Sequence, residues 1–174
     1  DEISYVVLFG EMLMSPNAVD LIQALDDLQK PMLFVPGNRG DEIDEDLMHA
    51  VFQFEPELFL SDTEAYFIAG ACTKDMEETA ERLHEESEAP VAILQKNVGV
   101  YYHDAKDSYL VEETKDVSFL QVLAGYLAAK GAGIDAHRAL TFANQFAQEC
   151  RGRMPSKNLM EMEKRKLADL ILGK

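Results

Sequence analysis

The 174-residue chain carries 16 Lys and Arg against 32 Asp and Glu, a formal net charge of −16. A charge of that sign repels nucleic-acid phosphates and anionic membrane surfaces, and the basic cluster Arg151, Arg153, Lys157 and Lys164–Arg165–Lys166 is interrupted by acidic residues, so neither nucleic acid nor membrane is expected as a partner. A 47% hydrophobic and 28% charged composition excludes a disordered chain, and the length suits one domain whose core needs no metal or disulfide.

Cys72 and Cys150 cannot build a disulfide framework, and no Cys/His spacing reads as a zinc site; His49, His84, His103 and His137 are scattered. An intracellular setting, cytoplasm or organelle matrix, is the expectation. No apolar run reaches the ~20 residues of a membrane span. The start lacks the basic region of a signal peptide. A first residue Asp1 in place of Met reads as a processed product or a fragment.

In chain order, Ile3–Phe9 is short, apolar and rich in β-branched residues, the pattern of a strand buried on both faces of a parallel sheet. Ser15-Pro16-Asn17 supplies helix-start chemistry, and Ala18, Leu21, Ile22, Leu25 and Leu28 follow at helical spacing. Pro31 stops that helix before a second buried strand, Met32–Val35, and the Pro36-Gly37 turn. Ile43–Phe52 then reads as a helix, Glu57–Leu60 as a strand and Asp62–Ala69 as a helix. A longer helix over Asp75–Glu88 turns Met76, Thr79, Ala80 and Leu83 inward, and its glutamates form a solvated face rather than a metal site. Pro90–Leu94 is a fourth buried strand.

Val98–Tyr102 and Ser108–Val111 flank Asp104–Asp107 as a β-hairpin. Helices are predicted over Val117–Lys130, Asp135–Cys150 and Asn158–Leu172, with Gly131 and Gly133 ending the first and Asp135 capping the second. Alternating strands and helices give an α/β class with a mainly parallel sheet, in which ligands bind beyond the carboxyl ends of the strands.

The segments at those strand ends resemble a known family. Phe34-Val35-Pro36-Gly37-Asn38-Arg39 is similar to the F-D-P-N-x-R of the ribokinase, or PfkB-type, carbohydrate and nucleoside kinases. Ser61-Asp62-Thr63-Glu64-Ala65, closing with Ala69-Gly70, resembles their P-N-x-x-E-A…T-G. Ile93–Val98 sits where T-L-G-x-x-G is expected. Leu123-Ala124-Gly125 with Ala139-Leu140-Thr141-Phe142-Ala143-Asn144 is close to the family's A-G-x-L-A…A-L-x-F-A-N ending. The likeness runs through nearly the whole chain in the family's order.

The resemblance implies a ribokinase-like layered α/β fold, its mainly parallel sheet flanked by helices, as one truncated domain over residues 1–174. Nothing in the sequence resembles the family's N-terminal G-G-N motif or its substrate-covering β-lid. Family members move the γ-phosphoryl of ATP, with Mg²⁺, onto a sugar hydroxymethyl. Their G-A-G-D opens a helix, where bare backbone N–H groups hold the phosphoryl and the Asp takes the proton. Here Val117-Ser118-Phe119-Leu120 stands in that place, and leucine takes no proton. Asp116, four residues before Leu120, is the one substitute base, through a shifted helix start. By the same resemblance Asn97 and Asn144 are the remnants of an ATP site, and Glu64 of a metal site, although a carboxylate at a helix start serves the dipole equally.

The expectation is therefore a carbohydrate-kinase homologue that has lost phosphoryl transfer and acts as a structural or protein-binding subunit. It would bind a protein partner or a second copy and no cofactor. The alternative is an authentic ATP- and Mg²⁺-dependent sugar or nucleoside kinase, seen as a fragment or using Asp116.

Overall fold

The computed structural model describes residues 5–70, 75–112, 117–151, 164–169 and 171. The elements in order are β1 (Val6–Phe9), α1 (Gly10–Leu13), α2 (Ala18–Leu28), β2 (Met32–Val35), a 3₁₀ turn at Gly40–Glu42, α3 (Glu45–Phe52), β3 (Glu57–Ser61), α4 (Asp62–Ile68) and α5 (Met76–Ser87). They continue with β4 (Val91–Gln95), β5 (Gly99–His103), β6 (Ser108–Glu112), α6 (Phe119–Gly131) and α7 (Ala136–Glu149).

The six strands form one sheet in the order β1-β2-β3-β4-β5-β6. β1 to β4 pair in parallel, with Val6 opposite Met32, Phe34 opposite Leu58, and Leu60 opposite Ile93. β5 and β6 are the hairpin read from the sequence, so the sheet is mixed. The chain divides into two compact units, one of residues 1–95 and 101–110, the other of 96–100 and 111–174.

The first unit is built on β2, β3 and β4. Leu33, Phe34, Phe59, Leu60 and Ile93 are fully buried, which is why these strands read as continuous apolar runs and not as alternation. Three helices cover them with explicit start signals. Asp44 caps α3 by accepting from Asp46 N and Leu47 N, so that helix begins at Glu45 and not at the expected Ile43. Asp75 caps α5 through Glu77 N and Glu78 N, and α2 ends on Gln29 in the left-handed region, two residues before Pro31. The glutamates of α5 are exposed, and among the described residues no group of His, Cys, Asp or Glu is placed to hold a metal ion.

One element was not legible. Residues Gly10–Leu13, between the first strand and the helix start at Ser15, form the short helix α1, with Leu13 buried in the core.

In the second unit α6 and α7 are packed against each other over most of their length, burying Val122, Tyr126, Ala129, Leu140 and Ala143. Asp135 caps α7 through Arg138 N, as expected. Of the helix expected over 158–172, residues 164–169 are helical; 158–163 lie outside the described residues, as do 170 and 172. No helix among the described residues is long and apolar enough to cross a membrane.

Candidate functional site

In the first unit a cleft of about 220 Å³ opens at the carboxyl ends of β2 and β3. The turn after β2 forms one wall, with Gly37, Asn38, Gly40 and Asp41; the start of α4 forms the other, with Ser61, Thr63, Glu64, Phe67 and Ile68. The turn is held from behind by Gly10, whose absent Cβ would lie 2.0 Å from the Pro36 carbonyl oxygen, a distance only glycine permits. The other wall is held by a capping box. Ser61 N donates to Glu64 Oε2 at 2.6 Å, and Glu64 N donates back to Ser61 Oγ at 3.4 Å. Thr63 N donates to Asp62 Oδ1 at 2.8 Å, so the N–H groups of Ser61, Thr63 and Glu64 are engaged by side chains of the same turn.

The electrostatics of the cleft are anionic. Among the described residues Asp41 and Glu64 line it and no lysine or arginine does. Arg39 stands on the same turn but is exposed and engaged by Glu42, to which its guanidinium donates through both Nε and a terminal nitrogen. That hydrogen bonding holds the Glu42 carboxyl below its ordinary range and raises Arg39.

A polyphosphate is held by cations or bare N–H groups. The described lining has no cation to meet one; it offers the carboxylates of Asp41 and Glu64, the hydroxyls of Ser61 and Thr63, the Asn38 amide, the Phe67 ring and the backbone of Gly37 and Gly40, and one oxygen of Glu64 accepts from Ser61 N. Glu64 thus lies at the cleft, where it also closes the capping box of α4.

In the second unit α6 begins at Phe119, with Ser118 as an N-cap that makes no side-chain hydrogen bond. Leu120 is 68% exposed in the first turn. Phe119 and Leu120 thus put apolar side chains on the first turn of α6. Asp116 lies outside the described residues.

Asn97 is an exposed residue of the turn between β4 and β5, in the left-handed region at φ 63°. Asn144 is 4% exposed on α7, and its Nδ2 donates to the Glu112 carbonyl at the end of β6. Among the described residues no donor reaches its Oδ1. Asn144 therefore ties a helix to a strand end, while Asn97 sets a turn.

The sequence reading did not single out Phe67 or Asp41. Phe67 is 60% exposed beside buried Ala65, and only its place beyond the apolar stripe of α4 hints at a role. Asp41 follows a motif-like stretch without belonging to it.

No family model and no curated protein sequence matches the chain. Solved structures do. The ribokinase of Thermotoga maritima superposes with a TM-score of 0.73 at 15% identity, covering 93% of this chain and 57% of its own. Adenosine kinase of Trypanosoma brucei brucei gives 0.75 at 15%, covering 87% and 52%. An E. coli protein described as a ribokinase II, in complex with ATP and Mg²⁺, gives 0.74 at 21%, covering 98% and 59%. The chain spans between half and three fifths of these structures' length. Its fold is the ribokinase-like, PfkB-type kinase fold, present in part.

Proposed function

We propose that the chain is a PfkB-type carbohydrate-kinase homologue that has lost phosphoryl transfer and serves as a structural or protein-binding subunit. The observation that carries this reading is the start of α6. Phosphoryl transfer of this kind relies on bare N–H groups against the transferring charge and an acceptor for the hydroxyl proton. At that place Phe119 and exposed Leu120 set bulky apolar side chains on the first turn where glycines would leave the backbone open, and leucine takes no proton. The cleft beside Glu64, with no lysine or arginine among its described lining residues, supports the same reading independently.

A binding role is supported by the β1 end of the sheet. β1 is the terminal strand, its Val6 and Val7 are half-buried, and Phe9 and Met12 are exposed. Apolar side chains along an edge strand favour association.

The kinase names carried by the structural neighbours, and the ATP and Mg²⁺ bound to one of them, favour the second reading: an ATP-dependent sugar or nucleoside kinase of which this chain is a part. The test is transfer from γ-labelled ATP, with Mg²⁺, to a panel of pentoses, hexoses and nucleosides. We expect no labelled product from the chain. Product formed by the chain and lost in Asp116→Ala establishes the kinase reading instead.

A further inference from the structure

We propose that the cleft at the ends of β2 and β3 receives an arginine side chain from a basic segment of a partner protein. This rests on the protein-binding reading above and names the partner's chemistry.

Charge, shape and an exposed aromatic ring point the same way. Asp41 and Glu64 line the cleft with no lysine or arginine beside them among the described residues, in a chain of net charge −16. The guanidinium on the same turn, Arg39, does not line the cleft; its hydrogen bonds go to Glu42, and it feels Asp41 only as a weaker charge. The volume of about 220 Å³ is below the ~300 Å³ at which pockets begin to take drug-sized ligands, and suits a single side chain better than a nucleotide. The wall opposite the Gly37–Asp41 turn carries Phe67, 60% exposed, a large ring left in water beside the carboxylates.

A bare metal ion has no use for that ring, and among the described residues no group of three or more ligating side chains is placed to hold one. A planar guanidinium uses both features. It stacks on an aromatic face and presents five donors to carboxylate and hydroxyl oxygens, here those of Asp41, Glu64, Ser61 and Thr63. The bond from Ser61 N to Glu64 Oε2 fixes the carboxylate before the ligand arrives, so little ordering remains to be done on binding. A lysine ammonium, compact and strongly hydrated, would use the ring less well.

The test is an NMR titration of the full 174-residue chain with an acetylated Gly-Ser-Arg-Ser-Gly amide. Phe67 ring signals are assigned by their loss in Phe67→Leu. We expect a saturable shift of those signals, and roughly tenfold weaker binding when citrulline, neutral and nearly isosteric, replaces the arginine. Asp41→Asn should weaken binding about fivefold or more, whereas Glu85→Gln, the same loss of charge on the exposed face of α5, should change it less than about twofold.

No shift at Phe67, an equal response to the citrulline peptide, or equal losses in Asp41→Asn and Glu85→Gln each overturn the proposal. A matching saturable shift with spermidine overturns the partner assignment in favour of a free amine. Phosphoryl transfer by the chain overturns the protein-binding reading itself, whatever the peptide does; a silent titration without transfer removes only the arginine assignment.

Discussion

Replacing Gly125 by alanine sets two opposing effects against each other on α6. A Cβ at this position would lie 2.8 Å from Ala143 Cα, 3.2 Å from the Phe146 ring and 3.3 Å from Ala143 Cβ. Non-bonded carbons prefer about 3.5–4.0 Å, so the helices must part by several tenths of an ångström. The closest atom belongs to the backbone of α7 and cannot swing aside as the end of a side chain can.

Overpacking of this kind costs about 1–3 kcal/mol. The same substitution returns about 0.8–1.0 kcal/mol in helix propensity. With a backbone atom in the way, the clash falls in the upper half of its range, and the net effect is a loss of about 1–2 kcal/mol. Urea unfolding followed by far-ultraviolet circular dichroism reads this directly. For an m-value of about 2 kcal/mol/M the midpoint falls by about 0.5–1 M. Gly131→Ala, where the added Cβ meets nothing within 4 Å, is the control and should be neutral or stabilising by about 0.5 kcal/mol. A Gly125→Ala midpoint that rises with the control's would refute the close approach of α6 and α7 and, with it, the packing that sets where α6 begins.

Ser61→Ala should cost about 1 kcal/mol by removing the cap of α4, whereas Glu64→Gln should cost under about 0.5 kcal/mol, because glutamine at the same position completes the box. Thermal unfolding in millimolar Mg²⁺ should match that without it; a Mg²⁺-dependent rise lost in Glu64→Gln would restore a metal role to that residue. Tyr5→Phe removes the hydroxyl that donates to Glu57 Oε2 at 3.0 Å, a carboxylate 6% exposed at the foot of β3, and should cost about 1.5 kcal/mol in urea unfolding. Burial, and then the negative charge of Glu57, hold the Tyr5 and Tyr102 phenols above their ordinary value of 10.0. The folded chain therefore keeps protons that the unfolded chain releases, so stability is full below pH 10 and declines above it. Phenolate absorbance should rise together with unfolding, and a smooth titration of all tyrosines in the folded chain would contradict the burial.

The strands β2 and β4 were legible because burial on both faces leaves an unbroken apolar run, as in Met32–Val35 and Val91–Leu94. The helices α2, α5 and α7 were legible because each joins a 3.6-residue apolar period to a start or stop signal: Pro31, Asp75, Asp135. Helix α1 was not, since four residues carry no period, and its stability comes from Leu13 entering the core and from Gly10 resting on Pro36. At the candidate site the motif-like words located the right strand ends, but not what the residues do there. Glu64 is fixed by Ser61 across one helical turn, a relation its spacing permits and does not compel. Asn144 meets Glu112 across 32 positions, and Phe67 is exposed because of what does not cover it. Those are facts of tertiary arrangement, which single-chain spacing does not encode.

Calorimetric titration of the 174-residue chain with Mg-ATP tests the loss of phosphoryl chemistry most directly, because it asks for binding before any acceptor is involved. With Leu120 at the start of α6 and no cation among the described residues lining the cleft at Glu64, the prediction is no saturable heat, either in the chain itself or in Asp116→Ala. Tight, saturable binding that Asp116→Ala abolishes would contradict it.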